Sequence, residues 1–210
     1  PRYYFDLYNE RDLPAPDVGE WASMHDDPEE AADPNAWRGQ MSDEQIHRAR
    51  AGYYGEISFI DQQIGRLINY LFRFDREAYE NTWFVFLSDH GDMLGDHNLW
   101  RKTYAYEGSA RVPLIVTPPK AEQQKAKRVS DKPVELRDVM PTILEAAGIE
   151  IPSTVDGVSL LSLCRGTAES WRSYIHGEHC WCYGGDQEMQ YVTDGKRKLI
   201  WLPRIGVKQF

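Results

Sequence analysis

Cysteine is scarce in this chain, with three in 210 residues, and so low and odd a count excludes a disulfide scaffold. The sequence also lacks the ~18 consecutive apolar residues of a transmembrane helix, and it has no internal repeat. Basic residues are outnumbered, because 24 Lys and Arg stand against 33 Asp and Glu, a net charge of −9. An acidic surface repels phosphate groups, so we expect neither a nucleic-acid nor a membrane partner. The chain starts at Pro1 without a signal-peptide pattern, so we expect a cut or processed start.

Apolar residues are nevertheless plentiful, at 41% of the chain, and aromatic residues make up 12%. That composition supports a real core in one large domain or two small ones. Residues 1–40 are rich in Pro, Asp and Glu and contain scattered aromatic residues with weak periodicity. We therefore expect residues 1–40 to form a loop arm that wraps onto the rest of the domain.

A long helix is predicted over residues 42–74. Ser42 and Gln45 match a capping box, and apolar residues then recur every three or four positions as far as Leu71. Glycines interrupt the pattern at 52, 55 and 65, where each weakens a helix by about 1 kcal/mol relative to Ala. We expect these glycines to mark close packing against another backbone.

Two short strands follow the helix. The continuous apolar run 83–87 is typical of a parallel strand that is buried on both faces. A second strand is predicted over residues 112–116, starting at Pro113 or lying at an edge, because proline cannot donate to a ladder. The polar run Ser88 to Asp92 stands directly after the first strand, where ligand sites of α/β sheets lie.

The remaining pattern predicts a helix from Asp138 to Ala147, capped by Gly148, and then a β-hairpin over residues 191–201. The hairpin turn is expected at Asp194-Gly195 or slightly longer. This order indicates an α/β fold with an antiparallel end piece. We divide the chain into residues 1–150 and 151–210, and the end at Phe210 suggests that the second part is truncated.

Asp89, His90 and Lys102 are the first candidates for chemistry. A carboxylate and an imidazole at one strand end can bind the same divalent cation, provided that Gly91 allows a sharp turn. An ordinary polar loop explains Asp89 and His90 equally well. Lys102 is a compact cation suited to a tetrahedral oxyanion, and aromatic neighbours such as Trp100 suggest a partly buried loop. A buried lysine needs an anionic partner.

Several motifs follow one another along the chain, and they are spread over nearly its whole length. They are Tyr53 to Asp61, Ser88-Asp89-His90-Gly91-Asp92-Met93-Leu94-Gly95-Asp96-His97, Trp100-Arg101-Lys102, Tyr106-Glu107-Gly108, Arg111 to Val116, Asp138 to Leu144, Asp156 to Leu160 and Tyr191 to Trp201. In this order they resemble the C-terminal portion of the sulfatase family, which includes the arylsulfatases and belongs to the alkaline phosphatase superfamily.

The resemblance implies a fold, a reaction and a set of residues. The fold would be α/β, a partial central sheet with flanking helices and a small C-terminal antiparallel β subdomain. The reaction would be hydrolysis of a sulfuric ester by a formylglycine nucleophile, assisted by a divalent metal ion. Asp89 and His90 would be metal ligands, and Lys102 would contact the sulfate and act in catalysis with His97. Calcium is the usual ion, while the imidazole of His90 leaves manganese, magnesium or zinc open.

The nucleophile motif C-x-P/A-S-x-R is absent from this chain. Residues Cys164, Cys180 and Cys182 are each followed by other residues. The resemblance therefore implies that the formylglycine, and further metal ligands, precede Pro1. We expect this fragment to be inactive alone, as the C-terminal half of a sulfatase.

Several assignments stay open at this point. His97 could face substrate or assist the leaving group, but a loop histidine that is hydrogen-bonded to backbone is the explanation that we favour. His179 and Trp181 could contact a sulfated sugar or another sulfated small molecule, whereas zinc binding beside Cys180 lacks a second ligand pair. Alternative functions are a phosphonate monoester or phosphodiester hydrolase of the same superfamily, and a non-catalytic binding domain. As the location of the protein we favour the bacterial periplasm slightly over the cytoplasm. Assembly into a homo-oligomer is left open.

Overall fold

A computed structural model describes residues 1–33, 35–123, 129–181 and 183–210. The chain forms two compact units, the first made of Pro1–Tyr79 and His90–Arg111, the second of Glu80–Asp89 and Val112–Phe210. The expected division at residue 150 differs from these units. A boundary read along the sequence assumes contiguous units, whereas this chain leaves the first unit after Tyr79 and re-enters it at His90.

The first unit is helical. Its α-helices are α1 (Arg2–Asn9), α2 (Pro28–Ala31), α3 (Asp43–Phe74) and α5 (Glu107–Ala110). The boundary between the two units falls within the short helix α4 (Arg76–Glu80). Two 3-10 turns cover Glu20–His25 and Asp96–Asn98. The predicted capping box starts α3: the Ser42 hydroxyl accepts the Gln45 N–H at 3.3 Å, and the Gln45 side chain accepts the Ser42 N–H at 3.0 Å. The long predicted helix is therefore confirmed at both ends.

Helix α1 packs across α3 at Gly55. A Cβ added to Gly55 would lie 2.7 Å from the Tyr4 carbonyl oxygen, and the Tyr8 hydroxyl lies 2.7 Å from that of Ser58. The expected close approach is thus confirmed at Gly55, while Gly52 has open space around it. The prediction that residues 1–40 form only a loop is wrong, because their first turns are helical and pack on α3.

The second half of α3 is less buried than its apolar periodicity predicts. Ile60, Leu67 and Phe74 are 46%, 68% and 74% exposed. The buried residues of the helix are instead Arg50, Ala51 and Gly55, which all lie in its first half.

The second unit begins with an antiparallel pair, β1 (Phe84–Leu87) and β2 (Leu114–Thr117). Leu87 pairs with Leu114, and Phe86 pairs with Ile115. The expectation of a parallel strand buried on both faces is wrong, because Phe86 and Ile115 are 40% and 56% exposed. An apolar run specifies hydrophobicity but not the direction of the partner strand. Pro113 stands directly before β2, as predicted.

The rest of the second unit combines short helices with a four-stranded sheet. The elements are α6 (Lys120–Gln123), α7 (Val139–Ala146), α8 (Leu161–Arg165), β3 (Ile175–His179), β4 (Met189–Thr193), β5 (Lys198–Leu202) and β6 (Val207–Gln209), with 3-10 turns at Leu136–Asp138 and Gly185–Gln187. The sheet order is β3-β4-β5-β6, and every pair is antiparallel. Its buried side chains include Met189, Ile200 and Leu202.

The predicted hairpin connects β4 and β5, so the antiparallel C-terminal sheet is confirmed. The Asp194 carboxylate accepts the N–H groups of Lys196 and Arg197 at 2.8 and 2.7 Å, and Gly195 has a φ of 87°. Gly148, with a φ of 69°, follows α7 as its predicted cap. Among the residues described, none of the helices is both long and apolar enough to span a membrane.

Candidate active site

Asp89 and His90 follow the end of β1 by two and three residues. The Asp89 side chain is exposed, and His90 is half-buried. His90 Nδ1 lies 2.9 Å from the carbonyl oxygen of Gly91, and a carbonyl can only accept, so Nδ1 carries the proton. In the neutral form of this tautomer the lone pair is on Nε2, the arrangement that metal-ligating histidines use. The donor set therefore fits a metal ligand pair.

Gly91 serves a different purpose from the predicted sharp turn. Its φ is not among the positive values of the chain. Instead, a Cβ at Gly91 would collide with the carbonyl oxygen of Gly108. The Gly91 N–H donates to the Ser109 carbonyl oxygen at 2.8 Å, which ties the chain after His90 to α5. The glycine is needed for this close approach.

A complete metal centre is not found among the residues that the structure describes. Within these residues, no cluster of three or more His, Cys, Asp or Glu side chains could hold a metal ion. Calcium takes about six to eight oxygen ligands, so Asp89 and His90 can supply only part of such a site.

Residues 92–103, which we name the left-handed loop, contain Lys102 and lie between Gly91 and α5. Five of its residues other than glycine have positive φ, each at a cost of about 1–3 kcal/mol: Leu94 (49°), His97 (57°), Asn98 (59°), Arg101 (65°) and Thr103 (80°). The Asp92 carboxylate accepts the N–H groups of Leu94 and Arg101 at 2.9 and 3.2 Å. The Met93 N–H donates to the Arg101 carbonyl at 2.7 Å. These bonds close the loop into a ring that ends directly before Lys102.

Lys102 is presented to solvent by this loop. Its neighbours Trp100 and Tyr104 are only 7% and 4% exposed, so the loop is anchored as predicted. The Lys102 side chain itself is exposed, and within the described part of the chain it has no ion-pair partner. The prediction of a partly buried loop is therefore confirmed, whereas the Lys102 side chain itself faces solvent between the left-handed residues Arg101 and Thr103.

His97 is held by the segment around Asp17. Its ring Nδ1 accepts the Gly19 N–H at 3.2 Å, and the backbone N–H of His97 donates to the Asp17 carbonyl at 2.8 Å. The Trp21 and Tyr106 rings lie 4.6 and 5.3 Å from the imidazole. Burial lowers the pKa of His97 below its ordinary value, although Asp96 and Asp17 oppose the shift. At pH 7 the ring is therefore neutral and offers a hydrogen bond from Nε2, as in a backbone-bonded loop histidine.

His179 and Trp181 lie in the second unit, at and just beyond the end of β3. Among the described residues, His179 Nδ1 is buried without a hydrogen-bond partner, and Trp181 is 69% exposed. Cys182, which the zinc alternative would use, lies outside the described residues. His90, His97 and Lys102 belong to the first unit, whereas Asp89, His179 and Trp181 belong to the second.

Sequence reasoning missed Arg50, which reaches the left-handed loop from α3. Arg50 is 6% exposed and donates to the carbonyl oxygens of Leu94 and Pro14 and to the Asp96 carboxylate, at 3.0, 2.8 and 2.7 Å. The available signal was a charged residue within the apolar periodicity of the helix, since arginine is almost never buried without partners.

Comparison with known proteins identifies relatives over the whole chain. The family model described as Sulfatase matches residues 17–149. An arylsulfatase of Clostridium perfringens is 43% identical over 211 residues, covering 100% of this chain and 43% of its own length. The chain therefore spans less than half of that relative.

Solved structures agree with this family match. A phosphonate monoester hydrolase from Silicibacter pomeroyi has a TM-score of 0.77 and 29% identity, covering 96% of this chain and 44% of its own. A protein solved with its substrate D-glucosamine-2-N,6-O-disulfate has a TM-score of 0.64 and 27% identity, covering 79% of this chain and 34% of its own. The predicted fold is confirmed: α/β, of the alkaline-phosphatase-like sulfatase type, with a small antiparallel sheet at the C-terminus.

Proposed function

The chain belongs to the sulfatase family, and from that premise we propose that the protein carrying residues 1–210 hydrolyses sulfate esters. The observation that carries the proposal is the 43% identity to an arylsulfatase over the complete chain. The geometry supports it, because a strained loop holds a solvent-facing lysine, Lys102, thirteen residues after Asp89. Strain of this kind is maintained at sites that need a fixed geometry.

Asp89 and His90 would hold a divalent metal ion, with His90 binding through Nε2. When bound, such an ion polarises sulfate oxygens as a Lewis acid. Calcium is our first proposal, and manganese, magnesium and zinc are the alternatives that imidazole ligation allows. Hydrogen bonding of Nδ1 to the Gly91 carbonyl fixes the ring orientation for this role.

Lys102 would bind the sulfate group and neutralise charge that develops during transfer. An exposed ammonium group without an ion pair among the described residues is available for an anionic substrate. His97 would donate a hydrogen bond from Nε2 rather than a proton, because burial lowers its pKa and keeps the ring neutral. This role refines the catalytic assignment of His97 as a hydrogen-bond donor.

The nucleophile would be a formylglycine located outside residues 1–210. Burial raises the pKa of Cys164, which makes its thiol a poor nucleophile, and its flanking residues do not form the required motif. We accordingly propose that residues 1–210 alone do not turn over sulfate esters.

The substrate would be a sulfated sugar or a sulfated small molecule. Support for a sugar comes from the related structure solved with D-glucosamine-2-N,6-O-disulfate. Trp181, with 69% of its surface exposed, offers a ring face that a sugar or aryl group could stack on. His179 offers a neighbouring hydrogen-bonding group at the end of β3.

A phosphonate monoester hydrolase is the second candidate. The solved structure with a TM-score of 0.77 carries that name, and its identity of 29% does not separate the two reactions. The tetrahedral sulfate and phosphonate groups need similar charge stabilisation, so Lys102 would serve either one.

The test compares the native gene product that carries this chain with its Lys102→Ala and Lys102→Arg variants on an aryl sulfate and an aryl phosphonate monoester. We expect sulfate turnover to dominate and to fall about 10²–10³-fold in Lys102→Ala. Lys196→Ala, an exposed lysine in the β4–β5 turn, is the matched control and should keep full activity. Dominant phosphonate turnover would favour the second candidate, and turnover unaffected by Lys102→Ala would contradict the role of Lys102.

A further inference from the structure

Arg50 connects three separate segments of the first unit. Its Nε donates to the Leu94 carbonyl, Nη1 to the Pro14 carbonyl and Nη2 to the Asp96 carboxylate, at 3.0, 2.8 and 2.7 Å. Only 6% of the residue is exposed, and it lies near the N-terminal end of the 32-residue helix α3. The planar guanidinium presents its donors in a fixed fork, so the three acceptors are held in one arrangement.

The acceptors of Arg50 lie where the left-handed loop departs from ordinary backbone. Leu94, whose carbonyl is held, has a φ of 49°. Asp96 Oδ1 accepts both from Arg50 and from the Asp17 N–H at 3.1 Å. Arg50 therefore constrains the loop at the point where its first left-handed residue stands.

The same arginine also reaches the segment that holds His97. Pro14 and Asp17 belong to that segment, where the Asp17 carbonyl accepts the His97 N–H and the Gly19 N–H donates to His97 Nδ1. Arg50 bonds to Pro14 directly and to Asp17 through Asp96. The segment that encloses His97 is thus bonded to Arg50 at Pro14 and, through Asp96, at Asp17.

We propose that Arg50 is a positioning residue of the active site, which fixes the left-handed loop in the conformation that presents Lys102 and His97. This inference rests on the proposed sulfatase function. Arg50 touches neither substrate nor metal ligand in this role, and it acts through Leu94 and Asp96. Its effect on chemistry comes from placing the lysine, since a displacement of about 1 Å can cost about 10²-fold in rate.

Arg172 is the matched control for a purely structural role. It also binds a buried carboxylate, since its Nη2 and Nη1 lie 2.6 and 2.9 Å from the Asp138 oxygens. Asp138 is completely buried, and the Arg172 side chain is 18% exposed. Both Arg172 and Asp138 lie in the second unit, away from the left-handed loop in the sequence. Loss of this pair should lower stability without rearranging the loop.

The experiment compares Arg50→Lys, Arg50→Gln and Arg172→Gln in the native gene product that carries residues 1–210. The first readout is the pKa of the His97 imidazole, followed by NMR of selectively labelled histidine and assigned by loss of its signal in His97→Gln. We expect Arg50→Gln to raise the His97 pKa towards its ordinary value of 6.5, because a released loop exposes the ring. Arg172→Gln should leave the His97 pKa unchanged.

The second readout is steady-state hydrolysis of an aryl sulfate at equal folded fractions. We expect kcat/KM to fall about 10²-fold in Arg50→Gln, mainly through kcat, and Arg50→Lys to recover part of the loss. Arg172→Gln should stay within twofold of the native protein. An unchanged His97 pKa in Arg50→Gln, or an equal loss of kcat/KM in Arg172→Gln, would overturn the positioning role. Absence of sulfate turnover by the native protein would refute the proposed function, while the NMR result would still decide whether Arg50 holds the loop.

Discussion

Replacing Gly91 by alanine tests the close approach that places His90. A Cβ at this position would collide with the Gly108 carbonyl oxygen and lie 3.3 Å from that of Ser109. Both contacts are backbone atoms, so no side chain can rotate away to relieve them. The backbone at residue 91 must therefore move away from that of Gly108 and Ser109, which stretches the 2.8 Å hydrogen bond from the Gly91 N–H to the Ser109 carbonyl oxygen.

The change in the free energy of unfolding is the sum of two destabilising contributions and one stabilising contribution. Overpacking costs about 1–3 kcal/mol, and weakening the hydrogen bond costs about 1 kcal/mol. Restricting the unfolded chain returns about 0.4–1 kcal/mol. The net loss is about 2 kcal/mol, which corresponds to a fall of roughly 4–8 °C in the thermal midpoint of a chain of this size.

The assay is thermal unfolding of Gly91→Ala beside Gly65→Ala. Gly65 lies within α3 with no heavy atom within 4 Å of an added Cβ, so alanine there should stabilise by about 0.5–1 kcal/mol. The two substitutions therefore predict midpoint shifts of opposite sign. Equal shifts for Gly91→Ala and Gly65→Ala would refute the close-approach reasoning.

Two further predictions concern buried polar groups. Asp138→Asn should lower the free energy of unfolding by about 2–4 kcal/mol, because it leaves Arg172 without its bidentate carboxylate. Chemical unfolding measures this change, and a loss below about 0.5 kcal/mol would contradict the prediction. His97 predicts a pH effect: its pKa is lower when folded, so the unfolded state binds more protons and stability falls as pH drops through the ordinary value of 6.5. His97→Gln should reduce the loss of urea stability between about pH 7.5 and about pH 5.5, and an unchanged loss would argue against burial of the neutral ring.

Local signals in the sequence predict those elements whose stability is itself local. The capping box of Ser42 and Gln45 starts α3, and the Asp194-Gly195 turn forms the β4–β5 hairpin. Each depends on hydrogen bonds between residues two or three positions apart. Such contacts form independently of the rest of the fold, so short patterns specify them.

Features that depend on distant segments could not be predicted in the same way. The antiparallel pairing of Phe86 with Ile115 joins strands far apart in the chain, and the apolar run fits either direction. Leu94 and Thr103 adopt positive φ, although neither residue type favours it, because tertiary contacts hold the loop. Arg50 shows the same limit, since its acceptors Pro14 and Asp96 are 36 and 46 residues away.

The candidate site divides along this line. The sequence places Asp89 and His90 just after a strand, and the structure agrees, because β1 ends at Leu87. The exposure of Lys102 and the burial of His97 follow instead from the left-handed backbone between residues 94 and 103. The sequence therefore names candidate residues and their position after β1, but it does not predict the environment of each side chain.

A formylglycine nucleophile is the feature on which the proposed hydrolysis of sulfate esters depends. Mass spectrometry of the active-site peptide from the native gene product detects this residue directly. We expect a cysteine codon whose residue is found as formylglycine. An unmodified serine or threonine at that position would refute the proposal and indicate phosphate-type or phosphonate-type hydrolysis.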